Sequence, residues 1–164
     1  MKTKTLYLSA VALATVMHVV SSAPGIADQV DDAVAAYVRG DDETAVRLLR
    51  PLAEQGDARA QYHLGTRYFT GMGVPQNYTE ALKWFRLSAD QGNADGQGAL
   101  GSMYYMGRGV PQDYVLAYMW FDLSAARGGS TERRHSVLQQ MTPDQIAEGQ
   151  KLAREWRPRT PPPR

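Results

Sequence analysis

A shift of 36 residues lays positions 56–91 over positions 92–127 with 18 of the 36 identical. The shared skeleton is Gly-x-Ala-x-x-Gln-x-x-Leu-Gly-x-x-Tyr-x-x-Gly-x-Gly-Val-Pro-Gln-x-Tyr-x-x-Ala-x-x-Trp-Phe-x-Leu-Ser-Ala. Chance does not produce that agreement, so the chain contains a duplication. A unit of this length is one supersecondary element. It can bury its apolar side only by stacking on its neighbours. This constraint comes before any single motif.

Each unit reads as two helices. Ala60, Leu64 and Tyr68 recur at i, i+4 and i+8 and make one apolar stripe, and Ala81, Trp84, Phe85 and Ser88 follow the same 3.6 period. Gly56 and Gly92 suit the left-handed turn that ends a helix, and Asp57 and Asn93 suit the cap that starts the next. Within each unit the Gly-x-Gly-Val-Pro-Gln loops at 71–77 and 107–113 stop one helix, and Asn77 or Asp113 opens another. Asn77 followed by Glu80 predicts a capping box. Gly65 and Gly101 lie inside helices, where glycine costs about 0.5–1 kcal/mol relative to alanine. Their repetition predicts a close helix crossing, with Trp84 or Trp120 pressing on the backbone.

These residues resemble the Sel-one-like repeat family, helical-pair relatives of the tetratricopeptide repeat. The Ala-x-x-x-Leu-Gly-x-x-Tyr-x-x-Gly-x-Gly-Val core and the downstream Ala-x-x-Trp-x-x-x-Ala segment carry the likeness over residues 56–127. The resemblance implies an all-α fold, a right-handed α-α superhelical solenoid of antiparallel helix pairs. Some cysteine-rich members of the family have been credited with hydrolysis of β-lactams. This chain has no cysteine, so that activity does not carry over.

The flanks are weaker copies. Residues 31–55 keep Tyr37, Gly40, Ala45, Leu48 and Ala53 in phase, with an inner loop five residues shorter. After Gly128 the glycine loop is missing. Residues 131–141 read as a helix, and Thr142-Pro143-Asp144-Gln145 reads as a capped start of the last one, with Ile146, Gln150, Ala153 and Trp156 on one side. We expect repeats at about 28–55, 56–91 and 92–127, a terminal cap at 128–156 of the sort solenoids need, and an unpacked Pro/Arg-rich tail at 157–164.

The first residues form a secretory signal pattern. Lys2 and Lys4 precede an apolar run at 6–20 and a small-residue zone at 21–27, with Gly25 and Ala27 at the −3 and −1 positions. The expected mature chain begins at Asp28. The run is too short for the ~20 residues of a bilayer span, so no stable membrane insertion follows cleavage. An uncleaved anchor is the competing reading. The expected location is periplasmic or secreted. Without Lys2 and Lys4 the chain carries 16 basic and 17 acidic residues, a balance that argues against nucleic acid.

Catalytic chemistry is hard to find. His63 and His135 occupy equivalent positions two repeats apart, on the order of 20 Å by the spacing of stacked helices, so they cannot share a metal. No acid or nucleophile stands at a matching spacing. The Gly-x-Gly-Val-Pro loops lack the Gly-Lys-Ser/Thr ending of a phosphate loop. No cofactor and no metal are expected.

What remains is the outer face of the first helix of each unit. Positions not fixed by the repeat skeleton are Arg59, Tyr62, Thr66 and Phe69 in one unit and Asp95, Ser102 and Tyr105 in the next. Such an aromatic and polar mixture suits contact with a protein or peptide. Phe69 and Tyr105 fit packing on the adjacent helix equally well. The expected function is a non-enzymatic adaptor. Its rivals are a hydrolase of cell-wall or β-lactam substrates and a self-associating structural module. The last is prompted by net −5 over residues 28–57 against net +4 over residues 127–164.

Overall fold

The computed structural model describes residues 25–159. These form eight helices and no strand: α1 Ile26–Val38, α2 Asp42–Glu54, α3 Ala58–Thr70, α4 Tyr78–Asp90, α5 Ala94–Met106, α6 Tyr114–Ala125, α7 Thr131–Leu138 and α8 Pro143–Glu155. Helices α1–α2, α3–α4 and α5–α6 pack as pairs and each pair stacks on the next, while α7 and α8 both pack on α6, giving the helical-repeat solenoid expected from the sequence. The signal-like segment up to residue 24 and the tail from residue 160 lie outside the described residues. Helix α1 begins two residues before Asp28, the expected first residue of the mature chain.

The caps explain the helix boundaries. Side chains of Asp57 and Asn93 accept from the amides of Ala60 and Gly96, and Asp113 accepts from Leu116. Asn77 accepts from both Thr79 and Glu80. The capping box expected there does not form. The Glu80 carboxylate instead accepts from the Trp84 indole at 3.2 Å and pairs with Lys83 at 3.7 Å. Thr142 and Gln145 do form the reciprocal box at the start of α8.

The core divides into two layers. Trp84 joins Val30, Val46, Leu49 and Leu64 in the N-terminal layer. Its neighbour Phe85 joins Leu100, Met103, Trp120 and Phe121 in the C-terminal one. Trp84 and Trp120 are 5% and 4% exposed, so the duplicated tryptophans occupy equally buried niches. Fully burying one large apolar side chain stabilises by about 1.5–3 kcal/mol, and successive units reuse the same positions. The Trp-Phe dipeptide thus stitches two layers together.

The close crossing at Gly65 and Gly101 is real, but phenylalanine makes it. A Cβ on Gly65 would stand 2.7 Å from the Phe85 ring, and one on Gly101 would stand 2.8 Å from Phe121. The adjacent indoles, about 100° away on the helix, have other partners: Trp84 joins the N-terminal layer and Trp120 meets Trp156.

Polar contacts also recur at the repeat period. Ser88 donates to the Ala58 carbonyl and Ser124 to that of Ala94, both at 2.7 Å. Arg50 donates to the Tyr68 hydroxyl at 2.9 Å and Arg86 to that of Tyr104 at 3.3 Å, each linking one unit to the next. At the following interface Asp122 stands in the arginine position, and the bond reverses polarity: Arg134 of α7 donates to it at 3.0 Å.

The terminal cap departs from its expected form in three places. Helix α7 ends at Leu138 rather than continuing to Met141. Gln150 is exposed, and α8 buries Gly149 and Ala153 instead, the former against the Tyr118 ring. Residues 157–159 are not unpacked, since the Arg159 amide donates to the Asp90 carbonyl at 2.6 Å. Trp156 anchors the turn edge-on to Trp120, 5.9 Å between ring centres.

Candidate protein-contact face

The first helices of the two matching units, α3 and α5, carry the positions singled out in the sequence. The structure separates these positions into groups. Arg59 is exposed but engaged, its guanidinium 2.6 Å from Asp31 across the α1–α3 junction. Asp95 is exposed in the first turn of α5. Tyr62 is half-buried, with its ring 6.1 Å from Phe85 and 5.0 Å from His63. The Thr66 hydroxyl donates back to the Tyr62 carbonyl. Phe69 packs on Tyr78 at 5.4 Å and on Phe85 at 6.3 Å. The guanidinium of Arg108, from the next unit's glycine loop, then covers it at 5.3 Å.

Ser102 and Tyr105 meet in a cavity. They line a groove of about 340 Å³ together with Met106, Phe121, Glu132 and Arg133. The groove exists because α7 has eight residues where α3 and α5 have 13, and because no glycine loop follows it. In the preceding unit that loop brings Arg108 over Phe69 and Tyr78. Tyr105 and Tyr114 form the equivalent pair, 5.7 Å apart, and among the described residues no cation stacks on either. Met106 at the rim is 40% exposed. The Ser130 hydroxyl donates to Glu132 and holds its carboxyl below the usual range. Arg133 reaches across Gly98 without a carboxylate partner among the described residues.

Met106, Glu132 and Arg133 were not singled out from the sequence. The sequence signal that could have found them is the missing glycine loop after Gly128, which leaves the slot beside α5 uncovered.

His63 lies in a shallow niche with Tyr37, Leu49 and Arg67. Burial, helped by the positive charges of Arg59 and Arg67, lowers its pKa and so favours the neutral ring. Among the described residues no group of three or more His, Asp or Glu side chains is placed to hold a metal ion, and no helix is long and apolar enough to cross a membrane.

The Sel1 repeat pattern matches residues 35–57, 58–93 and 94–129. The chain belongs to the Sel1 repeat family. Proteins of this family are generally non-catalytic scaffolds, and their repeats generally mediate protein interactions. Among solved structures, the chain is similar to a protective antigen present in uropathogenic Escherichia coli strains and displaying an SLR fold. That likeness has TM-score 0.76 and 29% identity, over 80% of this chain and 30% of the other. It is also similar to a Sel1 repeat protein from Oxalobacter formigenes, with TM-score 0.60 and 30% identity over 69% of this chain and 48% of the other. The chain therefore spans under a third of one relative and about half of the other. No curated protein matches it.

Proposed function

We propose that this Sel1 repeat protein is an exported, non-enzymatic adaptor that receives a protein or peptide on the face formed by α3, α5 and α7. The groove beside Tyr105 carries this reading. It is a ring-lined slot that the repeat itself fills one unit earlier and leaves open here. Tyr105, Met106 and Phe121 supply apolar contact, and Glu132 and Arg133 at the rim supply polar recognition. Tyrosine in such a place gives contact area with few rotors to freeze. Tyr62 and Phe69 support the face from beneath, whereas Arg59 and Asp95 edge it with charge.

The test is affinity capture from the cell envelope with the chain from Asp28 onward. Tyr105→Ala with Met106→Ala should lower recovery of the captured partner by about tenfold or more, the scale of a contact hot spot. Unchanged recovery by the folded double variant refutes the groove as the contact face. Export is tested separately, by fractionation and by sequencing the N-terminus of the mature protein. Material that begins at Met1 in the cytoplasm would refute it.

A further inference from the structure

On the opposite side of the solenoid, among the second helices, lies a cavity of different chemistry. It measures about 320 Å³ and is lined by Arg86, Asp90, Trp120, Trp156, Arg157 and Arg159. We infer that this cavity binds a monosaccharide-sized anion, a sugar carboxylate or a sugar phosphate, with guanidinium groups on the anion and indole against the ring.

Local sequence builds the site. Pro158 disfavours helix for the residue before it, and the chain leaves α8 at Trp156 in an extended conformation, φ −63° and ψ 139°. The segment then folds back over the end of α4, held by the bond from the Arg159 amide to the Asp90 carbonyl. That return brings Arg157 and Arg159 to the cavity that Arg86, Trp120 and Trp156 also line.

Three guanidinium groups therefore face one carboxylate. Asp90 neutralises little of this charge, since its nearest oxygen is 3.9 Å from Arg159, whose side chain is 83% exposed. Arg86 donates to a neutral phenol, that of Tyr104, and Arg157 to the carbonyls of Arg154 and Trp156. A fourth cation, Arg127, stacks on Trp156 at 5.0 Å and adds to the positive field from behind the indole. Guanidinium groups bind oxyanions through paired, charge-assisted hydrogen bonds, so an excess of them in one cavity selects a negative ligand.

Size and wall chemistry narrow the ligand further. At about 30 Å³ per water the cavity holds roughly ten waters, much more than a bare oxyanion displaces. It reaches the lower end of small-ligand pockets, which run from about 300 Å³. The T-shaped pair of Trp120 and Trp156 gives the remaining volume an aromatic wall, suited to the C–H face of a sugar ring. This site shares no residue with the Tyr105 groove, and the inference does not depend on that reading.

Titration of the folded chain at low salt, followed by tryptophan fluorescence and calorimetry, tests it. The probes are glucuronate, glucose 6-phosphate, glucose and inorganic phosphate. At least one sugar anion should bind saturably, about tenfold or more tighter than either glucose or inorganic phosphate, and its identity names the anion. Binding should weaken at high salt. Arg86→Gln with Arg159→Gln should reduce affinity about tenfold or more. Arg159→Gln alone, at an exposed position that does not affect folding, should reduce it about threefold or more. No binding by either sugar anion overturns the proposal, as does equal binding of glucose or inorganic phosphate. An affinity untouched by Arg159→Gln overturns it as well.

Discussion

Arg67 lies inside the α2–α3 interface with its side chain 6% exposed and Asp42 only 2.6 Å away. The Tyr37 ring stacks on its guanidinium at 4.2 Å. One repeat later the same two positions hold Met103 and Tyr78, so the family framework accepts either an ion pair or an apolar pair there. The backbones are equivalent. A Cβ on Gly73 would stand 3.1 Å from that of Asp42, and one on Gly109 would stand 3.2 Å from that of Tyr78. Tyrosine at position 42 therefore meets the geometry it already has at position 78. Asp42→Tyr alone leaves a buried cation without its carboxylate, which costs about 3–5 kcal/mol. The Tyr37 face offsets about 1 kcal/mol of this. A net loss of about 3 kcal/mol lowers Tm by roughly 12 °C for a domain of this size. Arg67→Met alone removes the buried charge and leaves Asp42 in the first turn of α2, where a helix N-terminus favours it, so the loss should stay near 1 kcal/mol. The double variant, Arg67→Met with Asp42→Tyr, should return to within about 1 kcal/mol of the parent, a coupling of roughly 3–4 kcal/mol. Urea unfolding followed by far- and near-ultraviolet dichroism measures all four forms. A double variant no more stable than Asp42→Tyr alone would refute the equivalence of the two interfaces.

Two further outcomes follow from the same geometry. Gly65→Ala should destabilise despite the better helix propensity of alanine, because about 1–3 kcal/mol of overpacking against Phe85 exceeds a gain of about 1 kcal/mol; thermal melting checks this, and Phe85→Leu in the same chain should restore part of the loss. His63 should make stability pH-dependent. Its folded pKa lies below the unfolded value near 6.5, so its contribution is full above that value and is lost as pH falls through the folded pKa; His63→Gln should flatten the stability profile between about pH 7 and pH 5, and an unaltered slope would contradict a buried neutral ring.

The duplication made the helices, their caps and their stacking legible, because each of those depends on residues that occur twice. Legibility fails where one copy differs from the other. The skeleton places Trp84 beside Phe85 without saying which of them faces Gly65, since either reaches the adjacent helix and only the layer geometry selects the smaller ring. Gln61 and Gln97 both donate to a carbonyl of the preceding helix, that of Ala53 or Ala89. Gln61 also accepts from Gln91 at 2.8 Å. Arg127 replaces that glutamine in the next unit and turns to Trp156, so the Gln97 carbonyl oxygen is left without a protein donor. A satisfied structural position has been given up for a cation at the edge of the cap.

Both candidate sites arise from departures of this sort. The Tyr105 groove is open because α7 stops at Leu138, a truncation visible in the sequence only as a missing glycine loop. The arginine–tryptophan cavity needs the return of residues 157–159 onto α4, which a composition of proline and arginine does not announce. The shared residues build the spine. The residues that break the period at the surface decide what the spine presents, so substitutions at Tyr105, Arg133, Trp156 and Arg159 should alter recognition more than stability, and those at Trp84 and Phe85 the reverse.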